Sequence, residues 1–364
     1  MKITGVVLRY FRIPLAETLI SAKFTLTHRE LVSVEISTDS HVTGVGWFTT
    51  PGVGAAAARK LAEEHMVPLL LGEDPRNHEL LWERLWAKCH YAGPGGLTTL
   101  AISGFDIALW DIKGKLAGEP LHRLLGGARR AVGVYASSIN LHLEMDRLLD
   151  QVERQMSAGY KAFKIKLGRP TAEEDLDRCR AVRSLIGPAC DLMLDANQKW
   201  RSGEARQRLA ILEETKPLFI EEPILSDDVA GHSQLRRASN VPVAVGEQLC
   251  NRYEFWNYVR EEAADYLQPC VWKVGGITEW MKIANMAQCA NLIISPHGAL
   301  ELSIHLAAAI GNCDRIENIF GVGLHELGIT TVPPRIVDGL MVPDETPGHG
   351  VVLDGEALST FNVS

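Results

Sequence analysis

Residues 163–168 read Phe163-Lys164-Ile165-Lys166-Leu167-Gly168, two lysines set two apart in an apolar run closed by glycine. Side chains at i and i+2 leave the same face of a β-strand, so Lys164 and Lys166 point together. An edge strand with a solvated basic face is one reading of that pattern. Three strand-like runs downstream favour another. Leu192-Met193-Leu194-Asp195, Leu218-Phe219-Ile220-Glu221 and Val243-Ala244-Val245-Gly246-Glu247 each end in a carboxylate. They recur at about the interval of one strand plus one helix, as in a β/α barrel. Acidic residues at the C-terminal ends of consecutive parallel strands converge on one point, where they repel unless a cation neutralises them. All-oxygen ligation favours Mg²⁺, with Mn²⁺ as the alternative, over a soft metal. Asp195, Glu221 and Glu247 are therefore candidate metal ligands, and the lysine pair facing them outlines a metal-assisted acid/base site.

The composition of the 364-residue chain, 46% hydrophobic and 23% charged, is that of a globular protein long enough for a large core. A net charge of -8 argues against a nucleic-acid surface, so an anionic substrate must be held by local cations. No apolar run is long enough to cross a membrane, and Met1-Lys2-Ile3-Thr4 leads straight into strand patterning with no signal-like core. The seven cysteines (89, 179, 190, 250, 270, 289, 313) are scattered without C-x-x-C spacing and read as reduced thiols of a cytoplasmic protein.

Residues 1 to about 50 carry strand patterns at Ile3–Pro14, Leu31–Ile36 and Val42–Phe48, with a loop expected from Leu15 to Thr27 that holds Lys23. Helical patterns follow over 55–71, 77–88 and 101–118, the last stopped by Pro120. After Leu124-Leu125-Gly126-Gly127 the rhythm changes to alternating strand and helix, with eight candidate strands at 132–137, 163–167, 192–196, 218–222, 242–247, 266–270, 292–296 and 315–319. The expected fold is α/β, a modified (β/α)8 TIM-type barrel with an α+β N-terminal domain. The expected division is 1–128, 129–330 for the barrel, and a C-terminal segment 331–364 of short strands and turns.

Taken together, the helix Ala101–Asp111, the pair Lys164 and Lys166, Asp195 in Asp-Ala-Asn, Glu221 in Glu-Glu-Pro and Glu247 in Gly-Glu-Gln resemble the mandelate racemase and muconate-lactonizing branch of the enolase superfamily. The resemblance covers nearly the whole chain. It implies a capping domain whose loops close over the barrel, with the C-terminal segment returning to the cap, and places Lys23 and the 49–54 loop over the substrate. It further implies one Mg²⁺ per site and abstraction of the proton next to a substrate carboxylate, with Lys164 contacting that carboxylate and Lys166 as base. Lys166 can be a base only if its pKa falls from ~10.4 towards neutrality, and a cationic neighbour lowers it.

At the seventh strand end, Ser295-Pro296-His297-Gly298 matches the place of the racemase subgroup's catalytic His. Glu317 in Arg315-Ile316-Glu317-Asn318 matches its substrate-binding Glu. The sixth strand departs from the pattern: Cys270 stands where that subgroup carries the Asp paired to the His, and Lys273 reads as a structural cation before Gly275-Gly276. A thiol offers only a weak hydrogen bond and no charge, so the pKa of His297 is expected at ~6.5 or lower. Thr49, Ser138 and Asn197, with Lys23 and Cys270, are candidate substrate contacts.

Glu222-Pro223, Ser226-Asp227-Asp228, Gly231-His232, Gly44–Trp47 and His90–Gly93 resemble talarate and galactarate dehydratases. The expected function is thus Mg²⁺-dependent dehydration of an aldonate or aldarate to a 2-keto-3-deoxy acid by a lyase that forms a homo-oligomer and has a small-molecule carboxylate as its partner. A racemase or epimerase acting on a 2-hydroxy or sugar acid by 1,1-proton transfer, or a non-catalytic Mg²⁺-binding sugar-acid binder, are the alternatives.

Overall fold

Strand patterning at the N-terminus folds into a three-stranded antiparallel sheet of β1 (Ile3–Ile20), β2 (Thr25–Thr38) and β3 (Thr43–Thr50). A computed structural model describes residues 1–330 and 332–363; Thr331 and Ser364, the two ends of the expected C-terminal segment, lie outside the described residues. The loop expected at 15–27 is instead a continuation of the β1–β2 hairpin. Pairing resumes at Leu19↔Leu26 after an irregularity and closes in a turn where Ser21 Oγ accepts from Lys23 N and Phe24 N, at 3.2 and 3.1 Å. A serine that turns its own backbone in this way lets each strand of the hairpin run six residues further than apolar patterning alone indicates.

The helix Leu97–Ala117 lies across this sheet. The Gly-Val-Gly-Trp stretch is what lets it approach: a Cβ on Gly44 would stand 2.1 Å from the Ala108 carbonyl oxygen, and one on Gly46 the same distance from that of Gly104. Trp47, Phe48, Phe105 and Leu109 fill the layer between them.

Eight parallel strands follow: β4 (Val132–Ser137), β5 (Ala162–Lys166), β6 (Asp191–Asp195), β7 (Ile220–Glu221), β8 (Val243–Val245), β9 (Tyr266–Leu267), β10 (Ile293–Ile294) and β11 (Arg315–Ile319). Each pairs with its neighbour, β11 returns to β4, and a parallel bridge at Ile294↔Cys313 joins β10 to β11. The ring is closed, with a helix in each of the seven connections between successive strands, and it is a modified (β/α)8 barrel. The ladders from β7 to β10 span two or three residues, shorter than expected, because the chain curls into its loops at the strand ends: Glu222 has φ 38° and Gly246 φ 144°. A Cβ at Gly246 would meet the Gln268 backbone at 2.7–2.9 Å, so glycine is required there. A short hairpin, β12 (Ile336–Val337) and β13 (Leu340–Met341), adds antiparallel to β4. Further on, the C-terminal segment bonds to the N-terminal sheet, with Arg12 N donating to Phe361 O and Val363 N to Tyr10 O, both at 3.0 Å. All seven cysteines are free thiols, and among the described residues no helix is long and apolar enough to cross a membrane.

Barrel and N-terminal domain meet at a buried polar seam. Buried Asp106, on the helix Leu97–Ala117, accepts from Thr278 Oγ1 at 2.6 Å and Thr278 N at 2.9 Å, and Trp82 Nε1 donates to Gly275 O at 2.7 Å. Burial lifts the Asp106 pKa to about 7, against ~3.9 in an unfolded chain, so this group's contribution to stability falls as pH rises between those values. Asp106→Ala leaves the Thr278 donors buried without a partner and should cost about 2–4 kcal/mol in urea unfolding. Asp106→Asn should remove the local pH dependence.

Candidate active site

Period-two alternation puts Ala162, Lys164 and Lys166 of β5 on one face, with Met193 and Asp195 of β6 and Phe219 and Glu221 at β7. That face is the barrel interior. Tyr135, Ala162, Met193, Phe219 and Ala244 form an apolar plug. Above it lies a charged layer: Lys164 is 2% exposed, Lys166 6%, Asp195 and Glu221 0% and Glu317 1%. The solvated-edge reading of the lysine pair is therefore wrong, since both ammonium groups are buried inside a closed barrel.

Lys164 Nζ is 2.5 Å from both Glu221 Oε2 and Glu317 Oε1 and 3.7 Å from Asp195, and Lys166 Nζ pairs with Asp195 Oδ2. Gln268 Nε2 donates to Glu221 Oε2 at 2.7 Å, and Asn197 N to Asp195 Oδ1 at 2.8 Å. Two ammonium groups do not balance the three carboxylates Asp195, Glu221 and Glu317. Burial and Asp195 push the Glu221 pKa up to about 8 although Lys164 opposes them, whereas Glu317, despite its burial, is held at about 2 by Lys164 and His297. Burial works against the charge on both lysines, yet the facing carboxylates raise both pKa values, that of Lys164 well above its ordinary range. The fall expected for Lys166 is thus absent while Asp195 holds it.

His297 Nε2 lies 2.9 Å from Glu247 Oε2 and 3.9 Å from Glu317 Oε2. Its Nδ1 is buried with no partner in hydrogen-bonding geometry, and the Cys270 thiol stands close enough to interact with the ring. The expected low pKa is overturned. Burial would lower it, but Glu247, Cys270 and Glu317 outweigh burial and raise it well above the usual value, while His297 lowers the Cys270 thiol against the effect of burial.

The charged layer floors a cavity of about 330 Å³ between the barrel mouth and the N-terminal sheet. Of the candidate site residues, Lys166, Asn197, Glu247, Cys270, His297, Glu317 and Thr49 line it. Lys23 does not: its Nζ reaches Gln198 Oε1 at 3.0 Å, and Phe24 and Leu26 of the hairpin face the cavity in its stead. Ser138 is also turned away, its Oγ accepting from Gln155 Nε2 at 2.8 Å, because Ser137 one residue earlier takes the inward face beside Lys164. Sequence reasoning missed Ser137, Gln268 and Arg29, which reaches the cavity from β2. Alternation puts Ser137 on the face of Tyr135, but only the closed barrel shows that face to be inward, and nothing in the sequence pointed to the other two.

Among the described residues no group of three His, Cys, Asp or Glu side chains is assembled in metal-holding geometry, because lysine or histidine engages each carboxylate. The donors nevertheless fit a hard divalent cation. Asp195, Glu221 and Glu247 offer oxygen from adjacent strand ends, and Glu221 Oε1 and Asn197 Oδ1 are buried acceptors with no partner.

A (β/α)8 barrel with paired lysines facing strand-end carboxylates defines an enolase-type protein. The mandelate racemase/muconate lactonizing enzyme N-terminal domain matches residues 4–126, and the enolase C-terminal domain-like family matches 147–357. The chain belongs to the mandelate racemase/muconate lactonizing enzyme family of the enolase superfamily. It is 37% identical over 97% of both chains to a 3,6-anhydro-alpha-L-galactonate cycloisomerase of Streptomyces coelicolor. It is 36% identical to the L-talarate/galactarate dehydratase of Salmonella typhimurium over 81% of this chain and 74% of that one. The crystal structure of an L-talarate dehydratase from a Polaromonas species, complexed with Mg and L-glucarate, superposes with a TM-score of 0.94 at 35% identity, covering 100% of this chain and 98% of that one.

Proposed function

We propose that the protein is a Mg²⁺-dependent lyase that removes the C2 proton of a sugar acid and expels the C3 oxygen. The observation that carries this is the placement of two proton-carrying side chains, Lys166 and His297, on the wall of one cavity floored by buried carboxylates. Mg²⁺ at Asp195, Glu221 and Glu247 supplies positive charge against the negative charge that develops on the substrate carboxylate. Lys164 adds a fixed ammonium there, kept protonated by Glu317 and Glu221. With Asp195 committed to the cation, burial and Lys164 are the main remaining influences on Lys166, and both lower its pKa towards that of a base. Neutral Lys166 then takes the C2 proton, the C2–H electrons form the C2–C3 double bond, and the C3–O bond breaks with a proton from His297. Water leaves, and the enol tautomerises to the 2-keto-3-deoxy acid.

The full-length likeness to an anhydro-galactonate cycloisomerase supports a second reading of the same elimination. In a 3,6-anhydro acid the C3 oxygen belongs to a ring, and its expulsion opens the ring with no loss of water.

A panel of aldonates, aldarates and anhydro-aldonates, assayed for 2-keto acid and by mass, tests both. Water lost identifies dehydration, and an isomeric keto acid identifies ring opening. Inversion or deuterium exchange at C2 with no keto acid from any substrate rejects both in favour of 1,1-proton transfer. Exhaustive chelation should abolish turnover and Mg²⁺ restore it, with Mg²⁺ also raising the Tm of the chelated protein.

A further inference from the structure

Arg29 is a half-buried cation, its Nε fully buried, without a carboxylate counter-ion. Its Nη2 donates to Thr49 Oγ1, its Nε is buried with no hydrogen-bond partner, and among the described residues no carboxylate lies within 4.0 Å of the guanidinium. The neighbouring carboxylates are engaged elsewhere. Glu30 accepts from Tyr10, Thr50 and Ala55 N, Glu247 is paired with His297, Glu317 with Lys164, and Glu301 accepts from Leu324 N at 3.3 Å. A guanidinium carries five donors and stays charged, and burying it unpaired is costly unless an anion completes the site.

The position of Arg29 says which anion. Lys164 and the carboxylate layer belong to the barrel floor, where the reacting carboxylate binds, whereas Arg29 reaches the cavity from β2 of the N-terminal domain. Lys273, which makes no ion pair among the described residues, lines the same cavity. Resting on the sugar-acid reading above, we infer that Arg29, seated by Thr49, binds the second carboxylate of a dicarboxylic sugar acid, so that the substrate is an aldarate. An aldonate ends in a neutral hydroxymethyl group that cannot balance this charge, and a planar fork matches a carboxylate through two parallel hydrogen bonds.

Calorimetric titration of the Mg²⁺-loaded protein with pairs that differ only at C6, galactarate against galactonate and glucarate against gluconate, tests this. At least one diacid should bind about 10- to 100-fold tighter than its monoacid. Arg29→Gln should erase that preference while leaving monoacid affinity within about threefold, and Arg29→Lys should retain part of it. Equal binding within every pair, tighter monoacid binding, or a diacid preference that survives Arg29→Gln overturns the inference. The wild-type comparison decides even if a variant does not fold. Binding does not require turnover: a diacid preference without keto acid keeps the subsite and rejects the lyase reading, and keto acid from monoacids alone does the reverse.

Discussion

Lys166→Ala is expected to abolish both C2 proton exchange and product formation, with kcat/KM down by about 10³-fold or more. Lys166 Nζ is the amine that both lines the cavity and carries its proton on a single buried carboxylate, Asp195. Lys164 cannot substitute for it, because Glu221 and Glu317 grip its ammonium from two sides and hold its proton more tightly. The variant also removes the closer of the two ammonium partners of Asp195, leaving Lys164 at 3.7 Å. Mg²⁺ binding should therefore be retained or tightened while chemistry is lost, a separation that Tm against Mg²⁺ concentration can read. Exchange of the C2 hydrogen in deuterated buffer, followed by NMR, is the decisive measurement. If Lys166→Ala still exchanges C2 while His297→Asn does not, base and acid are reversed.

His297→Asn is expected to slow elimination by about 10²- to 10³-fold and to leave C2 exchange within about tenfold of wild type. A low pKa would have made the protonated ring a more willing donor; the structure supplies a different route, a ring more readily protonated. Without a cation, Glu247, Cys270 and Glu317 outweigh burial and raise the imidazole pKa well above its usual value; with Glu247 committed to the cation, Cys270 and Glu317 remain to favour the protonated ring that gives its proton to the leaving oxygen. Asparagine keeps a polar group of similar size but has no proton to transfer. The raised pKa also fixes a sign: His297 contributes stability that is fully present below ~6.5 and is lost as pH rises through its higher folded value. Thermal unfolding should therefore show wild type losing its advantage over His297→Asn as the solution becomes alkaline. Equal loss of exchange and elimination in the variant would remove the division of labour.

The sequence by itself determined the barrel and the identity of its charged layer. Strand spacing and the period of two put Lys164 and Lys166 on one face and a carboxylate at the end of each of the next three strands, and these are local properties of the chain. Tertiary structure alone decided which face is inward. Parallel barrel strands are apolar on both sides, so Ser137 and Ser138 could not be told apart until β4 was closed against β5 and β11. The same holds for contacts between distant segments. Whether Lys23 reaches the cavity or Gln198, whether Arg29 finds a carboxylate, and which acid each lysine chooses depend on how the N-terminal sheet is laid over the barrel mouth. The direction of the His297 pKa was decided there too, since it is set by a carboxylate 50 residues away in sequence and 2.9 Å away in space. Electrostatics acts through distance, and the chain carries no record of those distances until it is packed.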